Sequence, residues 1–278
     1  MEKITILIPT LASRKSKPYL EKCVKTIRET QTVDHDILIM VNGGNATRLD
    51  LPARVYYTDV QGQCNAVNQL SKMVETEWML VTDDDSMFPP NWERMFEHKD
   101  KTDVICMNSM ESGKVGSAPP FIVNDCGTDM ATFDYEKFKQ DALKLGSDEG
   151  TKAGWLEDGF SYPFAIKKSL WDLVGGYDIA YDPWGSNCDS DLHYKLRLAG
   201  VKPKRDRRIL NYHFSQISGT FDFADTPEGK KHYERWNQNK RYFTEKWGFE
   251  RIGSPEIWYT FEVPKQRKFH PQWEKEAL

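Results

Sequence analysis

Three consecutive acids, Asp83-Asp84-Asp85, follow the apolar run Trp78-Met79-Leu80-Val81 and Thr82. A continuous apolar run that ends in a turn suits a strand covered on both faces, as in a parallel sheet. In such sheets ligands collect at the carboxyl ends of the strands, which is where these acids fall. If the chain stays extended there, Asp83 and Asp85 point to one side and Asp84 to the other. Two carboxylates on one side repel unless something positive lies between them. A hard divalent cation, which prefers oxygen ligands, meets that need. The acids therefore read as a metal–phosphate site, against the plainer reading of a solvated acidic turn.

Two later segments carry charge where packing does not ask for it. Asp189 and Asp191, in Cys188-Asp189-Ser190-Asp191-Leu192, fall at the start of a helix, where the dipole favours carboxylates and one acid alone is explained as a cap. His213, in Asn211-Tyr212-His213-Phe214, ends a strand, where a lone His is ordinarily a satisfied, partly buried residue.

The 278 residues allow one large α/β domain or two small ones. With 39% hydrophobic and 29% charged residues, a sizeable core in a soluble protein is feasible. No apolar run approaches the ~20 residues of a transmembrane helix. The chain enters a strand directly after Met1-Glu2-Lys3, which is read as leaving no room for a signal peptide. Five dispersed cysteines without CxxC spacing argue for reduced thiols, against a disulfide framework or a zinc site. These features suit a cytoplasmic protein, free or peripheral to a membrane. The net charge of −4 exerts no overall pull on nucleic acid, so a nucleic-acid partner is not expected. The basic run Lys202–Arg208 is the local exception and reads as a solvated loop and strand edge.

Alternating strands and helices must position these residues. Strands are expected at Ile4–Ile8 (stopped by Pro9), Asp36–Val41, Val55–Tyr57, the run before the acids, Val104–Met107, around Phe160–Ile166 and at Arg208–Phe214. Helices are expected after Pro18, after Gly62, from Pro89 to about His98, at about Tyr135–Leu145, Lys168–Val174, Asn187–Ala199 and near Glu228–Trp247. Asn108–Gly159 otherwise reads as glycine- and proline-rich loops over a crevice. Strand–helix alternation over the first hundred residues implies a parallel, doubly wound sheet, with its first, second and acid-bearing strands ending around one crevice.

Taken in order, these pieces resemble a nucleotide-sugar glycosyltransferase of the GT-A fold, close to glycosyltransferase family 2. The resemblance spans about Ile4 to Gly248. Ile4–Thr10 is similar to the family's opening strand, whose end, here Pro9 and Thr10, touches the nucleotide base. Asn42 in Val41-Asn42-Gly43-Gly44 stands where the family has a base-pairing Asp. Gly62, Ala66 and Asn68 resemble its Gly-x-x-x-Ala-x-Asn stretch near the nucleotide, with Val67 in place of the usual Arg. Thr82-Asp83-Asp84-Asp85 resembles its Asp-x-Asp motif. That likeness implies Asp83 near the ribose and diphosphate, Asp85 as main metal ligand with Asp83 beside it, and Asp84 among the nucleotide-sugar-binding acids although an extended chain turns it away. Trp184-Gly185 resembles a pair that shapes the sugar pocket. Asp189-Ser190-Asp191-Leu192 with Arg197–Gly200 resembles the motif that supplies the catalytic base, with Cys188 in place of a Glu. His213 falls where some members place a further metal ligand, and Asn239–Phe243 with Lys246-Trp247-Gly248 resembles a closing helix.

The resemblance implies an α/β, GT-A type doubly wound mixed sheet with a C-terminal helical extension. Residues 1–220 would form the transferase domain, 1–107 its nucleotide-sugar half and 108–220 its acceptor half, with 221–278 packed on the same domain. The implied activity is metal-dependent, inverting transfer of a hexosyl or N-acetylhexosaminyl group from a UDP-sugar to a hydroxyl of a glycan or glycoconjugate. Mn²⁺ or Mg²⁺ would hold the diphosphate, and Asp189, or else Asp191, would be the base; two residues apart on a helix, only one of them faces the sugar. Competing readings are a sugar nucleotidyltransferase, a catalytically silent glycan-binding module, and a transferase acting on modified DNA bases.

Overall fold

A computed structural model describes residues 1–43, 48–111, 122–147, 156–183, 185–214 and 226–248. Ten strands form one mixed sheet: β1 (Thr5–Thr10), β2 (Asp36–Asn42), β3 (Arg54–Thr58), β4 (Trp78–Val81), β5 (Ser86–Met87), β6 (Val104–Glu111), β7 (Ile122–Val123), β8 (Leu156–Asp158), β9 (Phe164–Lys167) and β10 (Lys204–His213). Their order is β3-β2-β1-β4-β9-β6-β10-β5, with β7 on β6 and β8 on β10. The first four are parallel, and β9 is antiparallel to both β4 and β6. The helices are α1 (Lys17–Thr30), α2 (Gln63–Ser71), α3 (Tyr135–Leu145), α4 (Lys168–Leu173), α5 (Cys188–Leu198) and α6 (Pro227–Trp247).

The apolar strand runs are continuous because both sheet faces are covered. Ile6, Ile8, Ile37, Ile39 and Leu80 pack on one face with Leu20, Cys23, Val24 and Ile27 of α1 and Phe138 and Ala142 of α3. Leu7, Leu38, Met40, Met79 and Val81 pack on the other with Leu70 of α2, Trp171 of α4, Leu192 and Leu196 of α5, and Phe243 and Trp247 of α6. The two-residue period of a strand divides one apolar run between two cores. Truncating a fully buried member such as Leu7 or Leu80 to Ala costs about 2–5 kcal/mol.

This topology creates the crevice. From β1 the chain passes through α1 to β2 and β3 on one side, then through α2 to β4 on the other. The strand order reverses between β1 and β4, and ligands of open α/β sheets bind outside the carboxyl ends at such a point. There the end of β1 meets the acids after β4: Thr10 Oγ1 donates to Asp84 Oδ2 at 2.5 Å.

Four elements differ from the sequence reading. β1 runs through Pro9 to Thr10, in register with Met40 and Val41. Its pairing with β4 ends at Leu7, so Pro9 lies where a strand has lost a neighbour and tolerates a missing N–H. The segment Trp92–His98 is a 3₁₀ helix. β6 continues through Asn108, Ser109 and Met110 to Glu111, all buried, because β10 pairs with it along that length. The basic run is a solvated loop only at its start, where Lys202 is exposed: Lys204–Arg208 lies inside β10, with Arg205 and Arg208 each 1% exposed. Arg208 is neutralised by Asp206 at 2.7 Å and Glu97 at 3.1 Å. The guanidinium groups of Arg205 and Arg208 are therefore not displayed on the surface.

The short strands β5, β7 and β8 are not foreseen in the sequence reading, while the other expected elements match to within a few residues, including α3 and α6. All five cysteines are free and buried. Among the described residues, no helix is long and apolar enough to cross a membrane.

Candidate active site

β4 delivers the three acids into the crevice, and β10 delivers His213 from across the sheet. Phe214 N donates to Asp85 O at 3.2 Å, which ties the two chain segments together at this point. His213 Nε2 faces Asp85 Oδ1 at 3.5 Å, and ligand atoms of Asp83, Asp85 and His213 all lie within 4.8 Å of one another. On the other side of the ring, His213 Nδ1 meets Glu111 Oε1 at 3.0 Å. A carboxylate on one ring nitrogen fixes the tautomer and aims the other nitrogen at the cluster, the usual support of a metal-binding His. Sequence reasoning misses Glu111, because it lies past Met107, where the apolar part of its strand ends.

The electrostatics fit a cation. Burial and then the neighbouring Asp85 push the Asp83 pKa up to about 7. The same two causes push Asp84 up to about 8, against the hydrogen bond from Thr10. Burial lowers the His213 pKa, but Asp85 and Glu111 outweigh it and hold the ring well above its ordinary value. Among the described residues, no Lys or Arg forms an ion pair with these three acids. Two carboxylates and one imidazole form a donor set that suits Mn²⁺, and Mg²⁺ less well, since Mg²⁺ prefers oxygen alone.

Asp189 lies in the first turn of α5 and is half-buried. Its Oδ1 accepts from Ser190 N at 2.8 Å and from Ser190 Oγ at 3.3 Å. Its charge contributes to raising the Asp83 pKa, so the two acids share one electrostatic space. Asp191 is different: it is 0% exposed. Lys246 Nζ lies 2.9 Å from its Oδ1, Trp247 Nε1 donates to the same oxygen at 2.8 Å, and Lys195 Nζ lies 3.4 Å from Oδ2. A carboxylate sealed among two ammonium groups and an indole is a packing joint between α5 and α6. Its charge is engaged within the fold, whereas Asp189 is the half-exposed acid of the pair. Cys188, which precedes Asp189, is likewise buried.

Two amides expected to touch the nucleotide are engaged elsewhere. Asn42 Nδ2 donates to Thr10 O and its Oδ1 accepts from Gly62 N, both at 3.0 Å. Asn42 therefore ties the ends of β1 and β2 to the start of α2, with one N–H and one oxygen lone pair used in doing so. Asn68 clamps Tyr177, donating to its carbonyl at 2.7 Å and accepting from its N–H at 2.9 Å. Both side chains thus brace the chain segments around the crevice.

Gly62 has a structural reason to be glycine. Its φ is +153°, and a Cβ there would sit 2.2 Å from the carboxyl carbon of Asp182. Asp182 accepts from Cys64 N at 2.9 Å and Asn65 N at 2.8 Å, filling the N-terminus of α2 with the chain's own carboxylate. Gly185, at φ +67°, brings the turn before α5 against Gln63, where a Cβ would lie 3.1 Å from Gln63 Oε1. Gln63 Nε2 in turn donates to Asp83 Oδ1 at 3.3 Å. Gly185 and Asp83 thus meet through a side chain that the sequence does not single out. Pro9 and Thr10 lie at the mouth of the crevice with Asp84, while Trp184 lies outside the described residues.

Residues 5–120 match the family described as glycosyl transferase family 2. Among solved structures, the chain is similar to S. aureus TarS 1–349, with a TM-score of 0.52 and 13% identity over 92% of this chain and 77% of that one. The same fragment in complex with UDP gives a TM-score of 0.53 at 11% identity, over 87% of this chain and 72% of that one. A mannosyltransferase from Pyrobaculum calidifontis, in complex with GDP-Man and Mn²⁺, gives 0.50 at 14% identity, over 76% of this chain and 56% of that one. At these identities the likeness is one of fold. A comparison with curated proteins found no sequence match.

Proposed function

We propose that this chain, a family 2-like glycosyltransferase of the GT-A fold, transfers a hexosyl or N-acetylhexosaminyl group from a UDP-sugar to a hydroxyl of a glycan or glycoconjugate. The observation that carries the reading is the convergence of Asp83, Asp85 and His213 within 4.8 Å at the switch point of the sheet. These three would hold Mn²⁺ or Mg²⁺, which as a Lewis acid offsets charge on a departing diphosphate. Pro9, Thr10 and Gly62 would line the nucleotide, with residues 1–107 as the donor half and 108–220 as the acceptor half. Trp184 and Gly185 would border the sugar. The buried free cysteines support a cytoplasmic setting.

Asp189 is the proposed general base. Ser190 holds its Oδ1, which leaves Oδ2 to accept the proton of the acceptor hydroxyl. The hydroxyl oxygen bonds to the anomeric carbon as the bond from that carbon to the diphosphate oxygen breaks. The proton goes to Asp189 and the electron pair to the nucleoside diphosphate. Attack opposite the leaving group inverts the anomeric configuration.

A thermal-shift screen of UDP, GDP, UDP-hexoses and GDP-mannose, with and without Mn²⁺, tests donor binding. A ligand at 100 times its Kd should raise Tm by about 5 °C or more, and only with Mn²⁺ present. Incubation with the binding donor should then release nucleoside diphosphate, and Asp189→Asn should abolish release while keeping the shift. Absence of any shift across the set, or release of pyrophosphate, would sink the proposal.

A further inference from the structure

We infer that Asn239 of α6 is the positioning residue for Asp189: it fixes the turn that aims the carboxylate into the crevice, an inference that rests on Asp189 being the base. Asn is a poor helix former, and Asn239 sits inside a 21-residue helix at 1% exposure. Neither helix propensity nor burial selects an amide there. Its contacts do. Nδ2 lies 2.9 Å from Tyr181 O, 3.1 Å from Ser186 O and 2.9 Å from Ser186 Oγ. One amide NH₂ carries two protons, which these three acceptors share. With water excluded, such hydrogen bonds are strong and their loss is costly.

The grip falls where the backbone needs it. After Ser186 comes Asn187, a non-glycine residue in the left-handed region at φ 70°, and two residues later Asp189. Asn tolerates that conformation better than most non-glycine residues, and the surrounding hydrogen bonds select it here. Asn239 supplies that constraint by closing the loop from Tyr181 to Ser186, a loop also joined by Gly185 N to Tyr181 O at 3.1 Å. Other anchors hold the flanks. Arg235 donates to the carbonyls of Ala180 and Asp182. Tyr242 and Lys246 bond Asp178 at 2.8 and 2.6 Å. From the opposite side, the first amides of α2 grip Asp182. Asn239 alone among these acts on the residue that precedes the left-handed turn.

The test measures nucleoside diphosphate release from an equimolar mixture of UDP-hexoses, UDP-N-acetylhexosamines and GDP-mannose with Mn²⁺. Asn239→Ala should lower kcat roughly 10- to 100-fold while KM and UDP affinity stay within about twofold. Ser186→Ala, which removes one of the three acceptors, should lower kcat a few-fold and serves if Asn239→Ala does not fold. Tyr242→Phe is the stability control: it should lower Tm and leave kcat unchanged. Unchanged kcat in both Asn239→Ala and Ser186→Ala, or a kcat loss that follows Tm equally in Tyr242→Phe, would overturn the inference while leaving the base assignment intact. Full release by Asp189→Asn would instead overturn the base assignment itself.

Discussion

Asp85 and Asp191 are both buried carboxylates, 8% and 0% exposed, yet their surroundings differ in kind. Asp191 has two lysines and an indole N–H on it, so its charge is already answered by the fold. Asp85 has two more acids beside it and a single imidazole at 3.5 Å. Burying one ion without a partner is costly, and burying three like charges together is more so. The same residue type at the same depth is a joint in one place and an electrostatic demand in the other. What separates them is the count of opposite charge within a few ångströms.

Removing each acid should break that comparison in opposite ways. Asp85→Ala should reduce turnover on the order of 10³-fold, since a metal supplies several kcal/mol of transition-state stabilisation, and should leave folding in EDTA intact. Kinetics beside urea melts would show it, and a protein that lost stability but kept turnover would refute the metal-ligand role. Asp191→Ala should do the reverse. It leaves Lys195 and Lys246 without this counter-ion and should cost about 3 kcal/mol in urea unfolding, near the low end for a broken buried pair because Lys246 keeps Asp178. Donor affinity in the folded fraction should not change.

Glu111→Gln sharpens the contrast at smaller scale. It keeps the shape around His213 but weakens the hold on Nδ1, so Mn²⁺ affinity by calorimetry should fall about tenfold or more. The smallest effect concerns Asp84 without metal. A carboxyl whose folded pKa is about 8, against 3.8 unfolded, binds more protons in the folded state between those values. Its contribution to stability in EDTA therefore rises as pH falls from about 8 towards 4. Asp84→Asn keeps an oxygen for Thr10, should flatten that slope, and should stabilise the protein at pH 8 on the order of 1 kcal/mol. A wild-type slope of the opposite sign would show that these acids do not repel.

Much of the fold and half of the site are legible in the chain. The apolar run Trp78–Val81 breaks into Asp83-Asp84-Asp85, and that break locates the crevice because few positions in a buried sheet can hold acids. The parallel order follows from strand–helix alternation, and α3, α5 and α6 from helical spacing and their stops. β6 reads too short because Asn108, Ser109 and Glu111 look like loop residues, and only pairing with β10 makes them strand. Arg208 of β10 looks solvated because charge is visible in a sequence and its neutralisation by Asp206 and Glu97 is not.

The sequence alone determined which residues could carry chemistry: the acids after β4, Asp189 at a helix start, and His213 at a strand end. It also determined the strand periodicity that sets two cores against one sheet. Tertiary structure decided what each of them does. Asn42 and Asn68 are hydrogen-bonding types in any fold, but the partners that each amide bridges include residues 20 and 109 positions away. Glu111 meets His213 across 102 positions, and Trp247 meets Asp191 across 56. Coulombic and hydrogen-bonding energies fall off over a few ångströms in space, and separation along the chain carries no record of those distances until the sheet has closed.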